Sequence, residues 1–348
     1  MQQRKIVWIG GLLVCAMAQA DTGRHNSARA DSHAPAGVMA DHGHAAGEWM
    51  IGYRLQWDEF ADLRAGSDSI SDQQAADAGY SMAPTSMTMQ MHMLDLMYAP
   101  SDALTLMLMP QYMRMDMAMA ALPASSHGGD DHGHGHSHAA ASHSHSTEGW
   151  GDTAVYALLR LHEADGQRWQ LNLGLSVPTG SVDEKGDDGK FVHYDMQLGS
   201  GTWDLLPGLT FSQQLSWGSL GAQFSGVMRT GGNNDSGYQL GNVWQLTGWG
   251  SYLLADSLAL SARLLASHES AIEGHYNGPH NHSSPPDLQA NYGGSWLDAG
   301  LGVNWRPASG LLARQRLSAE WLLPLYGDYN GIQLGQDYRL LANWSLAF

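Results

Sequence analysis

The chain has 348 residues, and its 34 acidic against 17 basic residues give a formal charge of −17. That balance excludes nucleic acid as a partner, because phosphate backbones are held by lysine and arginine. A single cysteine, Cys15, excludes a disulfide framework or a cysteine metal site, while 42 glycines with 13 Trp and 13 Tyr suit tight turns and aromatic girdles.

Met1 to Ala20 carries Arg4 and Lys5, an apolar stretch from Ile6 to Ala18, and Ala18-Gln19-Ala20 before Asp21. This is the pattern of a secretory signal peptide, too short for a membrane-spanning helix. Val14 before Cys15 is a poor match to a lipidation site. Residues 21–48 lack periodicity and are expected to form a disordered periplasmic arm holding His33, His42 and His44.

From Trp49 onward, alternating segments recur. The expected strands are 49–60, 86–98, 104–117, 151–162, 168–178, 202–216, 220–230, 238–254, 258–269, 295–305, 311–325 and 336–348. Their joints alternate between short (99–103, 163–167, 217–219, 255–257, 306–310) and long (61–85, 118–150, 179–201, 231–237, 270–294, 326–335). Short periplasmic turns and longer external loops are the habit of an outer-membrane barrel. A soluble β-sandwich gives no reason for loops to sort by length.

Parity within the strands agrees. Trp169, Leu171, Leu173, Leu175 and Val177 oppose Gln170, Asn172, Gly174 and Ser176. Tyr338, Leu340, Ala342, Trp344, Leu346 and Phe348 oppose Arg339, Asn343 and Ser345 in the last segment, which ends on the aromatic typical of a closing barrel strand. One face suits lipid and the other a polar lumen. The lumen parity collects Arg160, Arg229, Arg263, Glu269, Asp298, Arg316, Glu320 and Arg339, charges that would either hold open a water-filled passage or form a salt-bridged plug. The expected fold is all-β: a transmembrane antiparallel up-and-down β-barrel of about 12 strands over residues 49–348, set in outer-membrane lipid with both termini periplasmic.

Gly149–Asp152 (GWGD), Leu171–Ser181 (LNLGLSVPTGS), Met196–Thr210 (MQLGSGTWDLLPGLT) and Trp321–Tyr326 (WLLPLY) resemble the outer-membrane transporter family named for the MetA pathway of phenol degradation. The resemblance spans roughly residue 49 to the end. It implies an outer-membrane barrel with a transport role, and it carries over no catalytic or binding residues.

Two constellations stand apart from a generic barrel. Met89, Met91 and Met93, with Met107, Met109, Met113 and Met115, fall at odd positions on two adjacent strands, beside Met87, Met97, Met117 and Met119. Even positions there hold Leu94, Leu96, Leu106 and Leu108, whereas odd ones also hold Asp95, Thr105 and Gln111, so the methionines are expected on the lumen wall. Thioethers suit Cu(I) or Ag(I), and equally make an adaptable apolar lining. If the parity were reversed, they would face lipid.

The second is the expected external loop 126–147, with His127, His132, His134, His136, His138, His143 and His145 among Gly, Ser and Asp. Neutral imidazoles on such a segment offer loose, exchangeable ligands to Cu(II), Zn(II) or Ni(II), not a preorganised structural zinc site. A low-complexity loop that binds metal incidentally is the plainer reading. His275, His280 and His282 add ligands in another loop.

No cofactor is required, and enzymatic activity is not expected. Asn233-Asn234-Asp235-Ser236-Gly237 has no nucleophile-elbow context and reads as a turn. Three functions remain open: a channel handling transition metal ions, a channel for small hydrophobic or aromatic compounds, and a metal-sequestering barrel with a closed lumen. Oligomeric state is not legible.

Overall fold

In the computed structural model the described residues are 26–124, 142–310 and 312–348. Trp49–Gly66 forms β1 and Met82–Ser101 β2. Leu104–Met109 continues past Pro110 as Gln111–Ala121, and both pieces pair with β2, so together they are β3. His143–Trp150 likewise continues past Gly151 and Asp152 as Thr153–Ala164, giving β4. The next strands are β5 (Gln167–Val177), β6 (Asp204–Leu215), β7 (Gly218–Arg229), β8 (Val243–Ala255), β9 (Leu258–Glu269) and β10 (Gly294–Trp305).

The final element, Gln315–Ala347, serves as two staves. Residues 317–329 pair with β10, and residues 329–347 pair with β1, with Gly331 at φ +58° where the chain reverses. We number these limbs β11 and β12. Neighbouring strands of the barrel pair antiparallel, and β1 bonds to both β12 and β2, which closes a twelve-staved up-and-down barrel. Reciprocal hydrogen bonds of 2.9 Å between the backbones of Trp49 and Phe348 join the first stave to the last.

Short turns gather at one end, where both termini of the barrel domain lie. Asp165 and Gly166 both take positive φ between β4 and β5, the backbone that a two-residue hairpin demands. The strands run past the roughly 9–11 residues needed to cross hydrocarbon, extending the barrel wall at the long-loop end. This corrects two sequence boundaries. The expected loop 326–335 is largely extended backbone, because β10 and β1 supply ladder partners on either side. His143 and His145 stand on β4, opposite Met119 and Met117 of β3.

The two faces sort as the alternation requires. Leu94, Leu106, Leu108, Leu173, Leu264 and Leu301 are exposed on the outer wall, a band that lipid covers. Trp49, Trp217, Tyr252, Trp305 and Phe348 are exposed near the short-turn end, and Trp203 and Tyr326 near the other. Inside, Arg54 pairs with Asp95 at 2.6 Å, Arg263 with Glu320 at 2.7 Å, and Arg339 with Asp58.

The arm contradicts its sequence reading. Residues 26–48, expected as a disordered periplasmic segment, are folded into the lumen, with Ala30, Ala36, Val38 and Ala40 almost wholly buried. Carbonyls of this irregular segment are satisfied by side chains of the barrel wall, as buried backbone requires. Ala36 accepts from Asn343 (2.9 Å), Met39 from Gln223 (2.8 Å), and Ala40 from Gln170 (2.8 Å) and Asn172 (2.9 Å). The polar lumen parity is therefore a docking surface for a plug. The segment 1–20, expected as a signal peptide, lies outside the described residues.

Candidate functional site

The methionine wall is built by register. Met87 faces Met117 across the β2–β3 ladder, Met89 faces Met115, Met91 faces Met113, and Met97 faces Met107. Residues directly opposite share a face. That face is the lumen: Met93, Met97, Met107, Met109, Met115 and Met117 are buried while Leu94, Leu106 and Leu108 are exposed. Met89, Met91 and Met113 are half-buried.

The wall divides into two apolar clusters. Near the plug, Met93, Met97, Met107 and Met109 pack with Met50, Ala40 and Leu158. Towards the long-loop end, Met87, Met115, Met117 and Met119 pack with Val192, Met196 and Leu198, with Met89 and Met113 against them. The latter partners come from the segment between β5 and β6, which folds inward over the barrel mouth. Thr147 of β4 donates to the Met196 carbonyl at 2.8 Å and ties that segment down.

The same segment makes a cap with the one between β9 and β10. Tyr276 stacks on Tyr194 (ring centroids 4.3 Å apart) and on Phe191 (4.4 Å), and Tyr238 meets Tyr194 edge-on. Burial pushes the phenols of Tyr194, Tyr238, Tyr276 and Tyr292 above their ordinary value of 10.0. His193 Nδ1 and Asp287 Oδ1 lie 2.9 Å apart beneath the surface of the cap. Asn234 Oδ1 accepts from the N–H groups of Ser236 and Tyr238, so the Asn-Asn-Asp-Ser-Gly segment acts as a turn here.

Below the cap is a chamber of about 430 Å³, lined by Phe60, Met87, Met115, Tyr292, Trp296 and Ile332 among others. A second space of about 320 Å³ shares Val243, Gln245 and Arg339 with it and reaches Gly37, Met39 and Ala40 of the plug. On the short-turn side of the plug, a vestibule of about 890 Å³ is bordered by His33, His42, His44, Arg168 and Arg316. The plug thus stands between a lumen with an apolar wall and a charged vestibule.

The expected histidine ligands are split by the structure. His127, His132, His134, His136 and His138 lie outside the described residues. His143 and His145 rings are 4.8 Å apart, and His145 is 5.2 Å from His193, so they sit at the cap end of the methionine wall. The arm histidines, read from the sequence as free ligands, are enclosed. Burial, helped by surrounding positive charge, pushes the His33 imidazole well below its usual range and His44 down to about 3.

The family profile described as "Putative MetA-pathway of phenol degradation" matches residues 104–308, more than half of the chain. The chain belongs to this family. No curated protein matches it. Among solved structures it is similar to an outer membrane channel from Pseudomonas putida F1, at 15% identity over 89% of this chain and 99% of that one, with TM-score 0.57. A Pseudomonas aeruginosa FadL homologue is more distant, at 11% identity over 94% and 98% of the two chains, with TM-score 0.43. The first likeness establishes the fold of this member of the phenol-degradation family: an outer-membrane β-barrel.

Sequence reasoning found the wall but missed the chamber's lid and floor. A signal for the lid was present. Phe191, Val192, Tyr194, Met196 and Leu198 are a concentration of large apolar residues inside an expected loop, and such a run must be buried somewhere. For the floor, the run Ala34-Pro35-Ala36-Gly37-Val38-Met39-Ala40 holds no charge and few polar atoms, a poor composition for a solvated arm.

Proposed function

We propose that this protein is an outer-membrane channel for small hydrophobic or aromatic solutes, with its long loops outside and both termini in the periplasm. The chamber carries the reading: about 430 Å³ within the lumen, walled by Met87 and Met115 and faced by Phe60, Tyr292 and Trp296. Flexible thioethers and aromatic faces bind apolar solutes of varied shape without demanding one hydrogen-bond pattern. The family's description, which names phenol degradation, agrees with a small aromatic solute. A solute entering beneath the cap would reach the plug, and passage into the vestibule requires residues 30–44 to shift.

Uptake of phenol or toluene into proteoliposomes, beside quenching of Trp296 fluorescence, tests this directly. Saturable uptake that falls when Met115→Glu places a charge in the chamber is the expected result. Equal passage of phenol and a small sugar, unaffected by Met115→Glu, would overturn it.

A second reading, handling of soft transition metal ions, rests on a different observation. His143 and His145 face Met119 and Met117 across the β3–β4 ladder, which sets imidazoles at the edge of the thioether wall. Binding of Ag(I) that survives replacement of Met113, Met115, Met117 and Met119 by leucine would remove that reading.

A further inference from the structure

The plug holds three histidines within twelve residues, on the far side of the lumen from the chamber, and the proposed solute path does not use them. His42 Nδ1 donates to Asp41 Oδ1 at 2.8 Å, and Asp41 Oδ2 accepts from the Ala34 N–H at 2.9 Å. With its proton on Nδ1, His42 turns a bare lone pair at Nε2 inward. That atom is buried and has no hydrogen-bond partner. His44 Nδ1 lies 3.6 Å from Glu48 Oε2, beyond hydrogen-bond distance, and its Nε2 is likewise buried without a partner. Both residues are more than nine-tenths buried.

A buried nitrogen left without a hydrogen bond loses its solvation uncompensated. The rings converge. The His33 centroid lies 3.7 Å from that of His42, and His42 is 5.1 Å from His44. Ligand atoms of His33, Asp41 and His42 all lie within 4.8 Å of one another, the span of a shared ion. The Asp41 carboxylate also fixes the orientation and tautomer of the His42 ring.

We propose that His33, Asp41 and His42 form a binding site for a borderline divalent ion of the Zn2+, Ni2+ or Cu2+ class, with His44 beside it. Three protein ligands leave one position open towards the vestibule. Arg168 and Arg316 also face this space. Their charge opposes a bare cation and favours an anion in the open position; Arg168 is partly offset by Glu163 at 3.3 Å, while Arg316 donates to the Arg29 carbonyl at 3.2 Å. Because residues 33, 41 and 42 border the stretch that blocks the lumen, a bound ion cross-links the plug on itself and holds it shut. The site rests on the plug alone and stands whether or not the chamber takes aromatic solutes.

Co2+ is the probe, titrated into the full-length protein in detergent with His127, His132, His134, His136, His138, His143 and His145 replaced by asparagine. One Co2+ per chain, with the strong visible bands of four-coordination and displaced by Zn2+, is expected. His33→Gln, His42→Gln or Asp41→Asn should abolish those bands, with heat-modified gel mobility confirming a folded barrel. No Co2+ bound in that background, or binding unchanged by His42→Gln, overturns the proposal. If the glutamine variants do not fold, Cu2+ paramagnetic resonance of the unsubstituted plug decides: coupling to two or three nitrogens supports the site, and one or none overturns it.

Discussion

The backbone N–H of Gly37 donates to Glu320 Oε2 at 2.7 Å, and a Cβ built on Gly37 would stand 2.2 Å from Arg263 Nη2. Arg263 cannot easily step aside, because it is held to both oxygens of Glu320, at 2.7 and 3.1 Å. The plug therefore approaches the barrel wall at a position where only glycine fits. Gly37→Val should dislodge the plug while the barrel stays closed. Single-channel conductance in planar bilayers should rise from small or absent to steady, with heat-modified gel mobility unchanged.

Removing the acid tests the wall behind that contact. Glu320→Ala leaves Arg263 charged and unpaired in a buried setting, a loss of about 3–5 kcal/mol for pairs of this kind. Urea unfolding in lipid vesicles should show a lower midpoint. The double change Glu320→Ala with Arg263→Met should recover part of the loss, because neither charge then remains buried alone.

The cap gives a pH prediction of definite sign. Tyr194, Tyr238, Tyr276 and Tyr292 have phenols raised by burial above 10.0. Below pH 10 both the closed and opened cap keep these groups neutral, and closure is unaffected. Above pH 10 the opened cap loses protons first, so closure weakens as pH climbs towards the raised values. Tyrosinate absorbance should develop late and together with increased protease cleavage in residues 178–203. Ordinary independent titration centred on pH 10 would contradict the cap.

Lipid contact is testable at Leu301, which is 69% exposed in the middle of β10. Leu301→Arg should cost about 2–4 kcal/mol of barrel stability if that position lies near the bilayer midplane. Folding into vesicles of matched thickness measures it. The same change at Tyr326, exposed on the outer wall near the long-loop end, should cost far less.

How much of this was legible differs by region. The wall was readable because alternation is local: Met87, Met89 and Met91 declare a shared face by spacing alone, and Asp95 and Thr105 mark that face as the lumen. The turn Asp165-Gly166 was readable because its chemistry sits in two adjacent residues. The cap was half readable, from apolar residues in an expected loop, but not its stacking of Tyr194 on Tyr276, which joins segments 82 residues apart.

The sequence by itself determined a twelve-staved barrel, which side of each strand meets lipid, and where methionine lines the interior. Those properties follow from a period of two and from which joints are long. Only the tertiary structure decided that the lumen is stopped. Residues 26–48 have no repeat to read, and their backbone is held by wall side chains such as Gln170, Gln223 and Asn343, contributed by strands far along the chain. Gly37 and Glu320 are separated by 283 positions. No window of sequence contains both, and His33 meets Asp41 and His42 only once the plug is folded.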